Sequence, residues 1–123
     1  MSKNKENKFE YVDECYEDLI KSIEEAKKYT SDNGKSLLDS LGNFAKLYLD
    51  YYKRVVNSGT SFDNGTYMIF DSATKRDYLY LIEHKMVAEE HKDALEDVHV
   101  KLGRFYNAAR PIEVEGSKNR GKK

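Results

Sequence analysis

The sequence predicts a mainly all-α domain: a three-helix antiparallel bundle with a long third helix and a short β-hairpin or ordered loop between helices two and three. Three observations carry that prediction. Apolar residues recur at alternating spacings of 3 and 4 over long stretches, which is the mark of one helix face. A single proline in 123 residues leaves helices free to run unbroken. Asn64-Gly65, followed by Thr66-Tyr67-Met68-Ile69-Phe70, joins a dipeptide suited to a type I′ turn to a β-prone run.

The first helix is expected over about residues 9–31, where Phe9, Val12, Tyr16, Leu19, Ile23 and Ala26 form the track. Glu10, Asp13, Glu14, Glu17 and Asp18 crowd its first half, where acids suit the positive end of the helix dipole. Ser31-Asp32-Asn33-Gly34 is a breaker cluster that should end it. The second helix is expected over about 35–57, with Leu37, Leu38, Leu41, Phe44, Ala45, Tyr48, Tyr51, Tyr52 and Val55 on a broad apolar face widened by Leu47 and Leu49. So apolar a helix should be the most buried of the three. Gly42 within it marks a bend or a close helix crossing.

Residues 59–71 hold the expected hairpin, which needs the helices or a partner to pack on because two strands alone are marginal. Asp71 or Ser72 is then read as the cap of a third helix reaching Ala109. Its track runs through Leu81, His84, Ala88, His91, Leu95, Val98, Leu102, Phe105 and Ala109 without a break. Such a helix is ~57 Å long against ~35 Å for the other two. Its overhang would lack a partner within the chain, which motivates a homodimer built on this seam.

The domain organisation follows from composition. Residues 9–110 make one helical domain; residues 1–8 and 111–123 are expected to be disordered basic termini, being short of large apolar groups. The formal charge of −1 hides a split of about +2 and +3 on the two tails against about −6 on the body. A nucleic-acid-binding domain more often has a basic body. Ten Tyr, five Phe and no Trp point to a narrow core ringed by hydroxyl-bearing tips. Cys15 is the one cysteine, so no internal disulfide forms, which suits a reducing cytosol. No signal-peptide pattern follows MSKNKENK, and no apolar run approaches the ~20 residues that span a bilayer. A cytoplasmic location without membrane attachment is the expectation. No repeat of solenoid length is present.

The stretch Ile82 to His99 holds all three histidines among six acids. His84 and His91 lie seven apart, hence ~10.5 Å along a helix, too far to share one ion. Only Glu96 and His99 have chelating spacing, as in ferritin-like di-iron bundles, which need a second such motif and further carboxylates. The favoured reading is therefore polar seam residues and no cofactor, with a metal-binding bundle as a weak alternative. Gly34-Lys35-Ser36 lacks the rest of a P-loop, since Tyr29 stands where its first glycine belongs. Asn64-Gly65-Thr66 matches a glycosylation sequon, read here as a turn. Cys15 lies among acids, which hold a thiol protonated and argue against a nucleophile.

The residues carry no family signature. The expected function is a small, non-enzymatic protein-interaction module of adaptor or inhibitor type, in the style of a bacterial or phage accessory protein. It is expected to dimerise through its helix seams. Tyr67, Met68, Ile69 and Phe70, with Leu95, Val98, Leu102 and Phe105, are its candidate interaction residues. The first rival is a nucleic-acid-binding or ribonucleoprotein accessory subunit using Arg110, Lys118, Arg120, Lys122 and Lys123.

Overall fold

The computed structural model describes residues 7–110. These form four α-helices: α1 (Glu10–Lys27), α2 (Asp32–Ser58), α3 (Asn64–Glu83) and α4 (Lys92–Ala108), with single 3-10 turns at Asn7–Phe9 and Glu89–His91. Of the termini expected to be disordered, residues 1–6 and 111–123 lie outside the described residues.

Contacts between side chains give the order of packing. Lys27 pairs with Asp39 at 2.7 Å, and Lys53 with Asp13 at 2.8 Å, so α1 and α2 run antiparallel. Ser22 donates to Asp97 and Tyr16 packs on Phe105, which sets α4 antiparallel to α1 on its other side. Phe44 on Phe70 and Tyr48 on Tyr67 do the same for α2 and α3. Tyr78 stacked on His99, and the Tyr106 hydroxyl donating to the Phe70 carbonyl, complete the ring between α3 and α4. The bundle is up-down-up-down, with its most extensive contact between α1 and α4.

The core contains Leu19, Ile23, Leu38, Leu41, Leu81, Val98 and Phe105, all essentially fully buried. At its centre, rather than on its rim, sits Tyr48. Its ring meets those of Tyr51, Tyr67, Phe70, Phe105 and Tyr106. Its hydroxyl donates to the carbonyl of Ala109, one of the helix-end carbonyls that lack an intrahelical donor. That bond is what allows a tyrosine to be wholly enclosed.

The all-α class holds; the three-helix plan with a hairpin does not. Residues 64–83 form a helix, and the physical reason is twofold. Asp63 is an N-cap: its carboxylate accepts from the Gly65 N–H and the Thr66 hydroxyl, which nucleates a helix where Asn-Gly alone suggests a turn. Then Tyr67, Phe70, Thr74, Tyr78 and Leu81 turn inward at helical spacing. Asp71, expected to cap a helix, lies inside this one and pairs with Lys75 one turn on.

The long third helix is likewise two helices. After Glu83 the chain leaves the helix through Lys85, whose φ is +48°. Met86 N–H donates to the Leu81 carbonyl and Ser31 N–H to the Met86 carbonyl. Thr30 and Val87 form an antiparallel bridge. This connection folds over the α1–α2 turn and sends α4 back beside α3. The overhang that motivated a dimer through this seam is therefore gone.

The breaker cluster works differently from its expected role. Ser31 caps α2, its hydroxyl accepting from Gly34 N–H, and Asp32–Gly34 are already helical. Gly34 is required by close approach: a Cβ there would collide with a Thr30 methyl and lie 3.1 Å from the Met86 Cβ. Gly42, by contrast, faces only the tips of Ile23 and Ile20 at 3.3 and 3.5 Å, the close α1–α2 crossing. Gly59 ends α2 at φ +75°, the left-handed cap that glycine adopts at least cost.

Candidate interaction surface

The four α4 candidates, Leu95, Val98, Leu102 and Phe105, are all buried against this chain's own core. They form the stripe that α1 covers, so they offer nothing to a second molecule. Tyr67 and Phe70 are half-buried in the aromatic cluster around Tyr48. Met68 and Ile69 are the members of the set that stand free, at 55% and 69% exposure.

They have company that the sequence reading missed. Leu79, Tyr80 and Ile82 are also exposed, so α3 carries five of the eight exposed large apolar residues among those described. The sequence does hold the signal. Residues 67–70 and 78–82 are unbroken apolar runs, and four or five successive residues wrap the whole circumference of a helix. Half of each run must then point outward. At about 100° per residue, Met68, Ile69, Leu79 and Tyr80 fall within one arc of about 120°, with Ser72 and Arg76 between them. The inward arc holds Ala73, Thr74, Asp77, Tyr78 and Leu81. Phe44 of α2 adjoins the Met68 end, lining a shallow depression with Met68, Ile69, Ser72, Ala73 and Arg76.

Behind this face lies a buried charge. Asp77 Oδ2 is the one enclosed polar side-chain atom without a hydrogen-bond partner among the described residues. Burial raises its carboxyl above the ordinary aspartate range, against the opposing pull of the Ser40 hydroxyl and the Arg76 charge.

The histidine-rich stretch resolves into three separate stacks. His84 lies on Tyr80, His91 on Tyr29 and His99 on Tyr78, with ring centroids 3.8, 3.9 and 4.7 Å apart. None occupies an apolar seam; His84 and His99 are exposed and His91 half-exposed. Glu96 and His99 remain one turn apart on α4, yet no three His, Cys, Asp or Glu side chains among the described residues gather into a metal-binding group. Glu96 instead borders a cleft of about 440 Å³ where α3 and α4 diverge. Tyr78, Leu81, Val87 and Leu95 line that cleft beneath Lys85, Lys92, Glu89 and Glu96. Burial, and secondarily the Glu96 charge, raises the Tyr78 hydroxyl.

Of the basic residues considered for nucleic acid, Lys118, Arg120, Lys122 and Lys123 lie outside the described residues. Arg110 lies over the Tyr67 ring, 4.4 Å from its centroid, a cation–π contact that already engages it. Cys15 is buried. No helix among the described residues is long and apolar enough to cross a membrane.

The geometry thus defines a small helical bundle with one apolar outer face. Compared with family models, with curated proteins and with solved structures, the chain matches none of them.

Proposed function

We propose that this protein is a non-enzymatic interaction module, of adaptor or inhibitor type, that presents the outer face of α3 to a macromolecular partner. The observation that carries the reading is the concentration of exposed apolar residues on that single helix, while α1 and α4 turn their stripes to the core. Met68 and Ile69 at one end of this face and Leu79 and Tyr80 at the other, with Ser72 and Arg76 between them, expose apolar surface that is unfavourable in water, and its concentration on one helix face supports a site that a partner covers. Met68, Tyr80 and Arg76 are of the residue types enriched at interfaces. A cytoplasmic setting agrees with the lone buried thiol.

The test compares the immobilised full chain with its Ile69→Glu/Leu79→Glu variant in extract of the native host. Both substitutions fall on exposed positions, so circular dichroism should show the fold retained. A protein captured by the wild type alone, identified and shown to rebind when purified, supports the reading. Equal capture by both chains, or none by either, refutes it.

A further inference from the structure

The cleft between the end of α3 and the start of α4 opens on a different side of α3 from its outer face, and the fold itself holds it open. The chain that joins the two helices is tied to the α1–α2 turn. Ser31 N–H donates to the Met86 carbonyl, and Thr30 and Val87 form the bridge. The two helix ends are thereby kept apart, leaving about 440 Å³ between them, within the ~300–1,000 Å³ of small-molecule sites. Leu81, Val87 and Leu95 give the cleft an apolar floor, and the exposed Ile82 extends it as a wall.

Two polar groups in this cleft lack partners. Tyr78 is nine-tenths buried, and its ring is held against that of His99. Its hydroxyl makes no hydrogen bond among the described residues, and burial pushes it above the ordinary tyrosine range, so it stays protonated. A buried hydroxyl without a partner is costly unless something in the cleft bonds it. Glu96, on the α4 wall, has no lysine or arginine within ion-pair distance among the described residues, and its charge reaches the Tyr78 hydroxyl. Its acidic neighbours differ: Asp97 is engaged by Ser22 and Lys101, and Glu89 by Lys92 at 3.4 Å.

We propose that this cleft binds a small organic amine, a protonated primary ammonium on a compact apolar body of aryl or branched-alkyl type. The ammonium donates to the Glu96 carboxylate and to the Tyr78 hydroxyl oxygen, while the body lies on Leu81, Val87 and Leu95. An N–H donor and acceptor that are both charged make the stronger kind of hydrogen bond.

The surroundings set the sign of the charge. Between 83 and 97 stand six acids, Glu83, Glu89, Glu90, Asp93, Glu96 and Asp97, against Lys85 and Lys92. Lys92 is committed to Glu89. Lys85 is exposed at the rim, where its ammonium extends into water over an apolar stem. The field at the mouth therefore draws cations and turns anions away.

The experiment is a nuclear magnetic resonance titration of the isotope-labelled full chain at low salt, following backbone amides. The probes are phenethylamine and isopentylamine, with phenethyl alcohol as the neutral counterpart and hydrocinnamate as the anionic one. At least one amine should shift amides of residues 78–96 saturably, binding about tenfold or more tighter than the alcohol, the weight of a charge-assisted hydrogen bond. Hydrocinnamate should bind no better than the alcohol. Glu96→Gln should bring the amine down to the level of the alcohol while leaving the alcohol unchanged. Ala88→Trp, at an exposed position lining the cleft, should block both. Ile69→Glu/Leu79→Glu should bind the amine as the wild type does, which separates this site from the outer face of α3. Any one of four results overturns the proposal: no saturable shift with either amine, shifts centred elsewhere, hydrocinnamate binding as tightly as the amines, or an amine preference that survives Glu96→Gln.

Discussion

Helices α3 and α4 are neighbours of similar length, and both carry residues that read from the sequence as interaction residues. Their fates differ. In α4 the stripe Leu95, Val98, Leu102 and Phe105 is consumed by the core, and of its large apolar residues Val100 alone stands exposed. In α3 the apolar residues exceed one stripe, and the excess stands in solvent. Periodicity therefore says which residues seek burial, and only the surplus beyond the periodic face says that burial within the chain is insufficient. A regular track is evidence of core, and apolar residues beyond it are evidence of exposed apolar surface.

The widest separation between the two helices should appear on truncating one residue from each. Phe105→Ala removes a fully buried ring that touches Tyr16, Tyr48 and Tyr106, and should cost about 3–5 kcal/mol in urea unfolding. Ile69→Ala, at an exposed site, should stay within about 0.5 kcal/mol at concentrations where the chain is monomeric. Similar losses for both would show that α3 has its outer face covered within the chain, and the contrast between the two helices would fall.

Gly34 sharpens the comparison at the end where α3 leaves the bundle. Gly34→Ala would drive a methyl group into Thr30, Met86 and the Leu81 side chain, all of which hold the α3–α4 connection over the α1–α2 turn. Overpacking of this kind costs about 1–3 kcal/mol. Gly42→Ala meets only two flexible isoleucine tips and gains helix propensity of up to ~1 kcal/mol, so thermal melting should separate the two alanine variants in opposite directions. A destabilised Gly42→Ala chain together with a neutral Gly34→Ala chain would mean that the connection is not packed as described.

The inner side of α3 carries the pH dependence. Asp77 binds its proton more tightly in the fold than in the unfolded chain, because burial disfavours the carboxylate. A raised folded pKa means that stability is greatest with the group protonated and falls as pH rises from the ordinary aspartate value through the folded one. Above that window the penalty is complete. Asp77→Asn should therefore be more stable than the wild type at neutral pH, and the difference should shrink on acidification towards the unfolded-state pKa. Asp97, which accepts from Ser22 and Lys101, is lowered mainly by the Ser22 bond and then by Lys101. Its contribution is lost as pH falls, so the Asp77→Asn background is needed to see the two opposing slopes apart. A neutral-pH loss of stability in Asp77→Asn would refute the assignment.

How much of this is legible in the sequence divides along the same line. The first two helices and their apolar tracks follow from spacing, because both helices bury one broad face; Gly42 reads as a bend or a close crossing, and the structure has the crossing. The hairpin reading fails at residues 64–71 because it weighs a β-prone run locally. The Asp63 cap and the inward series Tyr67, Phe70, Thr74, Tyr78 and Leu81 extend beyond that window. The break at 84–91 is hidden because it contains neither glycine nor proline. His84, Ala88 and His91 keep the count of 3 and 4 without contributing to the core. Of the exposed apolar residues on α3, Met68 and Ile69 are visible. Leu79, Tyr80 and Ile82 are missed because they fall outside the track counted from Leu81.

That hidden break yields the smallest of the expected effects and the most direct test of where α3 ends. Lys85 holds φ +48°, a conformation that costs an L-residue with a side chain roughly 1–2 kcal/mol. Its backbone is fixed there by hydrogen bonds on either side, His84 N–H to the Tyr80 carbonyl and Met86 N–H to the Leu81 carbonyl. Lys85→Gly removes the strain but gives the unfolded chain more freedom, a loss of about 0.5–1 kcal/mol. The net effect is a stabilisation of about 0.5 kcal/mol, a small rise in melting temperature. Lys85→Ala keeps the strain and adds helix propensity, which would reward a continuous helix from α3 into α4 if one existed. Glycine above alanine at this one position places the turn here and keeps the two helices distinct, one sealed and one with a face to spare. Alanine above glycine would restore the single long helix and its overhanging seam.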